Sequence, residues 1–340
     1  MINNIDSTVI STRIRLARNI EGYNFPNKLS VSDAQTVIRL VDNAASEIGS
    51  YKLYRMEEIG REVALSLRDD HLISEALVRR KESGAALIDE GYGYNEQGGK
   101  TSVMINEEDH LREQYIVRGL NLHRAYRKLS MLDDRLSASL RFAYDPKLGY
   151  LTACPSNLGT GLRASVMMFL PGLTKRKKMQ RLIAEVSGLG HTVRGVYGEG
   201  SEAEGYMYQV SNEVTLGVDE EYILDEVQKT VLEIVNLEAH ARKSLVSDDE
   251  VGVKDKSRRA LGILSYCERI SYTEFLQLAS EVKLGVALGF LDIKDITRLD
   301  DLISALRDAN LDLLADGATA NERDELRAEK CRKFIHTQIW

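Results

Sequence analysis

The chain changes texture near residue 246. Before that point, two-residue alternation and helical periodicity take turns; after it, only the helical period is found. In "TSVMI" (101–105), Thr101, Val103 and Ile105 fall on one side and Ser102 and Met104 on the other, as on a strand. "SVSDAQTVIRLVDNAASEIG" spaces Val37, Ile38, Val41, Ala45 and Ile48 helically, with a capping box at Ser32 and Gln35 and a stop at Gly49. Residues 219–245 predict a long helix with Ile223, Leu224, Val227, Val231, Ile234 and Val235 on its apolar side. The polar run "SDDEVGVKDKS" follows, and residues 255–338 predict helices alone, one opening at Ser271 with Glu274. The expectation is an α+β domain over 1–245 and a small all-helical domain over 246–340.

Other segments carry weaker patterns. "EQYIVRGLNLHRAYRKL" predicts a helix, and "TGLRASVMMFLP" a short helix stopped at Pro171. "RFAYDPKLGYLTACP" predicts a turn at Asp145-Pro146 and then a strand. Residues 175–188 predict a helix, "HTVRGVYGEG" a strand entering a glycine-rich loop, and "YMYQVSNEVTLG" a strand. No repeat of 20 to 50 residues appears.

Composition removes several classes of function. The 340 residues are 43% hydrophobic and 29% charged, as in soluble globular proteins, and the net charge of −7 argues against non-specific nucleic-acid binding. No run of about 18 apolar residues suggests a membrane span, and "MINNIDSTVIST" does not read as a signal peptide. Cys154, Cys267 and Cys331 are far apart, with no CxxC spacing, so neither a disulfide framework nor a structural zinc site is expected. A cytoplasmic protein is expected.

Four segments hold candidate chemistry, and one is a decoy. In "GYNEQGGKT", Gly93 stands one residue too far from Gly99-Lys100-Thr101 for a phosphate-binding P-loop, and a strand pattern follows where a helix is needed. A hairpin turn fits it better. "STRIRLARN" alternates Arg13 and Arg15 on one strand face, about 6 to 7 Å apart, where an anion between them or paired acids must relieve the repulsion. "CPSNLGTGLRASV" leads through glycines into the expected short helix bearing Arg163. Such a loop offers backbone N–H groups to an anion, with Cys154 at its start. "RGVYGEGSEAEG" sets Arg194 toward an anion and glutamates such as Glu199 toward a cation. "NEEDHLR" packs Glu107, Glu108 and Asp109 beside Arg112. Arg13, Arg15, Arg112, Arg163 and Arg194, with these acids, form a sensible inventory for phosphoryl transfer.

In order, "STRIRLAR", "NEEDHLR", "CPSNLGTGLRASV" and "RGVYGEGSEAEG" resemble the motifs of the phosphagen kinase (ATP:guanido phosphotransferase) catalytic domain over about residues 8–245. Within that family the chain resembles the bacterial protein-arginine kinases. Only a dozen residues precede Arg13, where kinases of free guanidino compounds carry a helical domain that covers a small substrate. The family's usual histidine after "RASV" is replaced by Met167, which leaves its nucleotide role without a counterpart. "RDELRA" (323–328) resembles the RDxxRA motif that binds phosphoarginine at an allosteric pocket, which would use Arg323, Asp324 and Arg327. At i and i+4 on a helix, the two arginines share one face and suit a phosphate.

The resemblance implies an antiparallel sheet flanked by helices, with ATP and Mg²⁺ as cofactors and the metal held by phosphate oxygens and water. It assigns the nucleotide phosphates to Arg13, Arg15, Arg112, Arg163 and Arg194. The rest of the ATP pocket would come from Ser11, Thr12 and Ile14, from Ala164, Ser165, Val166 and Met167, and from Gly195, Val196, Tyr197, Gly198 and Glu199. His71, in "DDHLIS", matches a family histidine near the nucleotide. Glu108 is implied as general base, Glu199 as its partner on the guanidinium, and Cys154 as a tuner of the substrate site. The implied activity is stress-linked phosphorylation of protein arginines, marking proteins for quality control. The implied partners are a heat-shock repressor as substrate, a zinc-binding activator, a Clp ATPase–protease and a second copy in a homodimer. A kinase of small guanidino compounds and a weakly catalytic phosphoarginine-binding adaptor are the alternatives.

Overall fold

The computed structural model describes residues 3–90, 99–196, 203–315 and 317–339. Its strands are β1 (Val9–Arg18), β2 (Tyr51–Arg55), β3 (Ala85–Asp89), β4 (Lys100–Ile105), β5 (Leu111–Arg118), β6 (Tyr144–Asp145), β7 (Gly149–Tyr150), β8 (Leu162–Phe169), β9 (His191–Gly195) and β10 (Met207–Asn212). Its first helices are α1 (Val31–Ser46), α2 (Arg61–Asp69), α3 (Glu75–Val78), α4 (Leu122–Ser139), α5 (Pro171–Lys175) and α6 (Met179–Ser187). The later ones are α7 (Glu220–Tyr266), α8 (Tyr272–Ala287), α9 (Thr297–Ala305), α10 (Asp308–Asp312) and α11 (Ala320–Gln338). Eight strands form one sheet in the order β2-β3-β4-β5-β1-β8-β10-β9, while β6 and β7 make a separate small hairpin. The successive pairs from β2 to β1 are all antiparallel.

Two expected helices are strands. "EQYIVR" belongs to β5, an inner strand between β4 and β1, where Tyr115, Ile116 and Val117 suit a pleated surface. Gly119, at φ 68, ends it, and α4 begins only at Leu122. "LRASVMMF" is β8, another inner strand with most of its side chains buried. A short, largely apolar run reads alike in a buried strand and a buried helix, so periodicity does not separate them. Pro171 opens α5 at its first turn instead of closing a helix. The cap of α1 is also displaced: Ser30, rather than Ser32, accepts the Asp33 N–H.

The chain divides into two compact units. One consists of Ser11–Val166 and Ser211–Lys229. In it α1 packs on β4, α4 packs on β5, and Met104 and Ala86 pack with Ile73 and Leu77. The other consists of Met1–Ile10, Met167–Val210 and Thr230–Trp340. Its apolar core takes Phe275, Leu276 and Val282 from α8, Leu299 and Ile303 from α9, and Ala328, Cys331 and Ile335 from α11. The six apolar residues expected along α7 are all buried. The boundary expected near residue 246 falls inside α7, three residues before Asp249, where the backbone leaves the helical region at φ −157, ψ 76. The Asp249 carboxylate accepts the Gly252 N–H at 2.8 Å and caps the second stretch of helix.

A buried ion pair ties the second unit together. Glu238 accepts the Gly172 and Leu173 N–H groups at 2.8 and 2.9 Å, at the first turn of α5, and pairs with Arg242 at 2.7 Å. Arg242 also donates to Ser7 and to the Phe169 carbonyl. Arg242→Met leaves the Glu238 charge buried without its cation, so thermal unfolding should show a loss of about 3 to 5 kcal/mol. Far-UV circular dichroism below the transition should stay unchanged.

Candidate active site

Strand register builds a floor of like charges. Alternation along β1 puts Arg13 and Arg15 on one face, with Thr12, Ile14 and Arg18 on the other. In the β1–β5 pairing, Gln114 lies opposite Arg15 and Arg112 opposite Ala17, so Arg112 stands diagonal to Arg15 at about 7 to 8 Å. Arg163 comes from β8, where it donates to Ser211 at 3.1 Å, and Ser165 on the same strand donates to the Arg13 carbonyl at 3.1 Å. Burial, then repulsion from Arg112 and Arg163, pushes Arg13 down to about 10. Burial and the neighbouring arginines push Arg15 well below the ordinary arginine value. The Arg15 Nε is buried and makes no hydrogen bond among the described residues. Four converging guanidiniums and an orphaned donor suit a polyphosphate. No helix N-terminus assists Arg163, because the segment that carries it is a strand.

The turn after β4 sorts its three acids. Asn106 adopts φ 59, and its N–H donates to the His110 carbonyl at 3.0 Å. Glu107 is buried and accepts Ser74 Oγ at 2.5 Å and Arg112 Nη1 at 2.7 Å. Asp109 is buried and accepts Asn19 Nδ2 at 2.6 Å and the Ala153 N–H at 2.7 Å. Burial raises the Asp109 carboxyl above its usual range, although those two donors counter it. Glu108 alone keeps an accessible side chain, 44% exposed, with the Arg112 guanidinium 3.6 Å away. His110 is buried, accepting the Ile20 N–H at Nδ1 and lying 2.9 Å from the Asn24 carbonyl at Nε2, and burial holds its pKa down.

Other expected residues are placed as follows. Cys154 is half-buried before the short helical turn Pro155–Asn157, with Sγ 3.0 Å from Ser156 Oγ. His71 adopts φ 60 and its carbonyl accepts Gln114 Nε2 at 2.6 Å, while Ser102 and Gln114 bind the next carbonyl, that of Leu72. Ser11 is half-buried on β1. Thr12 donates to the Gly119 carbonyl at 2.6 Å and accepts the Asn121 N–H, so it fastens α4 rather than facing the arginines. Ile14, Ala164 and Val166 are fully buried on their strands. Met167, Arg194, Gly195 and Val196 belong to the other unit, with Arg194 exposed on β9. Tyr197, Gly198 and Glu199 lie outside the described residues.

In α11, Arg327 is completely buried. It donates to the Leu306 and Ile270 carbonyls at 2.9 and 2.8 Å and pairs with Asp324 and Asp308. Arg323 holds both oxygens of Asp312 at 2.9 Å. Both guanidiniums therefore face carboxylates from α10, an arrangement not expected from the sequence.

Residues 34–241 match the ATP:guanido phosphotransferase C-terminal catalytic domain, and residues 250–338 match the protein-arginine kinase McsB C-terminal domain. The chain belongs to the ATP:guanido phosphotransferase family. A protein-arginine kinase of Halothermothrix orenii is 41% identical over 327 residues, covering 94% of this chain and 91% of the relative. One from Clostridium tetani is 37% identical over 335 residues, covering 97% and 96%. Among solved structures, the duplicated taurocyamine kinase of Schistosoma mansoni with bound transition state analog components superposes with a TM-score of 0.60 at 28% identity. That match covers 70% of this chain and 34% of the duplicated one. A lombricine kinase gives 0.58 at 25% identity, covering 70% and 68%.

Beneath the arginine floor this phosphotransferase has a buried charge cluster that sequence reading missed. Arg18 pairs with both Asp133 oxygens, donates to the Ala17 and Thr160 carbonyls, and lies 3.5 Å from the centre of the Tyr150 ring. Strand alternation was the available signal, since it puts Arg18 on the face opposite Arg13 and Arg15. Glu113 is fully buried beside Asp133, and burial together with that neighbouring carboxylate raises its pKa well above the usual range. A raised folded-state value means stability is complete below the ordinary carboxylate range and is lost as pH rises through the folded value. Urea midpoints should therefore fall as pH rises above the ordinary carboxylate range, and Glu113→Gln should flatten that decline. An unchanged pH slope in the variant would show that Glu113 is ionised in the native protein.

Proposed function

We propose that this chain is an ATP-dependent protein-arginine kinase, moving the γ-phosphoryl group of ATP to arginine side chains of proteins. The observation that carries the reading is the sorting of acids: Glu107 and Asp109 are engaged by the fold, and Glu108 is the accessible carboxylate beside Arg112. The curated relatives named protein-arginine kinases, matched over nearly the whole chain, support the acceptor.

The chemistry follows from the residues. Arg13, Arg15, Arg112 and Arg163 spread positive charge under the phosphates and offset the charge of the transferring group. The acceptor guanidinium has a pKa above about 12, so its nitrogen is a poor nucleophile until a proton leaves. Glu108 accepts that proton while a forked hydrogen bond aligns the nitrogen with the γ-phosphorus. The N–P bond forms as the bond from phosphorus to the bridging oxygen breaks, and ADP departs with the electron pair. Glu199 is assigned the second carboxylate on the guanidinium, Arg194 a further phosphate contact, and His71 a place near the nucleotide. Cys154 borders the acceptor without forming a covalent intermediate.

Among the described residues no group of three or more His, Cys, Asp or Glu could hold a metal ion. Mg²⁺ would enter with ATP, held by phosphate oxygens and water, and would further neutralise the phosphates. No described helix is long and apolar enough to cross a membrane. A cytoplasmic homodimer working with a heat-shock repressor, a zinc-binding activator and a Clp ATPase–protease is part of the proposal. Arg323, Asp324 and Arg327 are assigned a phosphoarginine site in which the phosphate displaces Asp312 from Arg323, because Arg327 is already committed to backbone carbonyls.

Incubation with Mg-ATP and either free arginine or an arginine-rich protein, read by phosphorus NMR, should give an acid-labile N–P signal on the protein alone. Signal on free arginine alone would overturn the acceptor assignment. Glu108→Gln should lower kcat by about 100- to 10,000-fold with little change in the KM for ATP. Arg15→Ala should lower kcat/KM for ATP, through loss of charge at the phosphates.

A further inference from the structure

The two loops that border the proposed acceptor site are joined through one buried amide. Asn19 follows the last residue of β1 and is only 2% exposed. Its Nδ2 donates to Asp109 Oδ1 at 2.6 Å and to the Leu151 carbonyl at 3.0 Å, and its Oδ1 accepts the His110 N–H at 2.9 Å. Asp109 Oδ1 also takes the Ala153 N–H at 2.7 Å. The backbone adds two further ties: the Ala143 N–H donates to the Asn19 carbonyl at 2.7 Å, and the Ile20 N–H to His110 Nδ1 at 3.0 Å. One side chain thus binds Asp109, which neighbours Glu108, the His110 that follows it, and the segment that leads into Cys154.

We propose that Asn19 is a positioning residue for phosphoryl transfer. Acting through Asp109, it sets the orientation of Glu108 against the Cys154 edge of the acceptor site. The chemistry of the position demands an amide. Two donors and one acceptor are used in three directions, and no other side chain of that size supplies two donors together with an acceptor. An aspartate would keep the shape but lose both donors and face Asp109 with a like charge. Asp109 is in turn a buried anchor, with one oxygen taking two donors. The arginine floor is held separately by strand register, so loosening Asn19 disturbs the acceptor side and spares the phosphate side. An error of about 1 Å at a reacting group is enough to cost about 100-fold in rate.

The kinase part of this inference rests on the function proposed above, so the test pairs two readouts on the full chain. Asn19→Ala and Asn19→Asp are assayed with Mg-ATP and an arginine-rich protein, alongside Cys154 alkylation by iodoacetamide, resolved by peptide mass spectrometry. The expected result is a drop in kcat of at least about 10-fold in both variants, with the KM for ATP within about twofold of wild type. The activity of Asn19→Asp relative to wild type should also rise by about threefold or more from about pH 8 to about pH 6.5, since a shared proton restores a donor between the two carboxylates. Asn19→Ala should show no such change. Its Cys154 should be alkylated at a rate altered by about threefold or more, because the loop loses its tether. Near-wild-type kcat in Asn19→Ala, an equal loss on the ATP side, or a pH-independent ratio in Asn19→Asp would overturn the positioning role. If wild type itself transfers nothing to the protein, the function fails, and an unchanged Cys154 rate in Asn19→Ala would then overturn the tether by itself.

Discussion

Repulsion among Arg13, Arg15, Arg112 and Arg163 is the constraint around which the sheet-bearing unit is organised. Flexible surface side chains would splay apart and relieve it. Here the pleat and the β1–β5 register hold the arginines on adjoining strands, and burial adds to the strain on Arg13 and Arg15. A rigid sheet is the scaffold such a site needs, because charges that cannot relax stay ready for an anion without reorganisation. The surrounding hydrogen bonds keep those strands in place, as Ser165 does on the Arg13 carbonyl and Thr12 does at the start of α4.

Three consecutive acids beside that floor do not have equivalent roles, because the fold uses two of them. Glu107 joins the cap of α3 to Arg112 through Ser74, which itself accepts the Leu77 N–H. Asp109 joins the acid turn to the segment before Cys154. Each is buried among donors, and a buried carboxylate with its donors in place stays put. Glu108 points outward by the turn's own geometry. Its accessibility is therefore a product of what holds its neighbours.

The same physics recurs in the helical unit with a structural outcome. Glu238 with Arg242, Lys283 with Asp300, and Arg327 with Asp308 and Asp324 are ion pairs in which at least one partner is fully or almost fully buried. Glu238 meets the first turn of α5 and Arg327 meets two backbone carbonyls, so in those two cases the charges also satisfy the backbone. Arg323 differs in being partly exposed, and among the described residues its hydrogen bonds go to Asp312.

Local pattern determined a good deal unaided. Alternation in "TSVMI", the apolar stripe of α7, the Ser271 cap of α8 and the all-helical texture after residue 255 are nearest-neighbour effects, and the structure shows each of them. The motif arginines and Glu108 were singled out through the resemblance to the phosphagen kinase motifs, and the structure brings Arg13, Arg15, Arg112 and Arg163 close enough to repel one another. Tertiary structure decided what depends on distant partners. "EQYIVR" and "LRASVMMF" become inner strands because β4, β1 and β10 flank them, and a short buried run carries no period that distinguishes strand from helix. Arg18 and Asn19 gain their roles from Asp133, Asp109 and Tyr150, 90 to 132 positions away, and Glu113 from Asp133, 20 positions away, and no local rule couples residues so far apart. Sequence named the charged groups; only the folded register determined which of them are held by the protein and which carboxylate stays accessible.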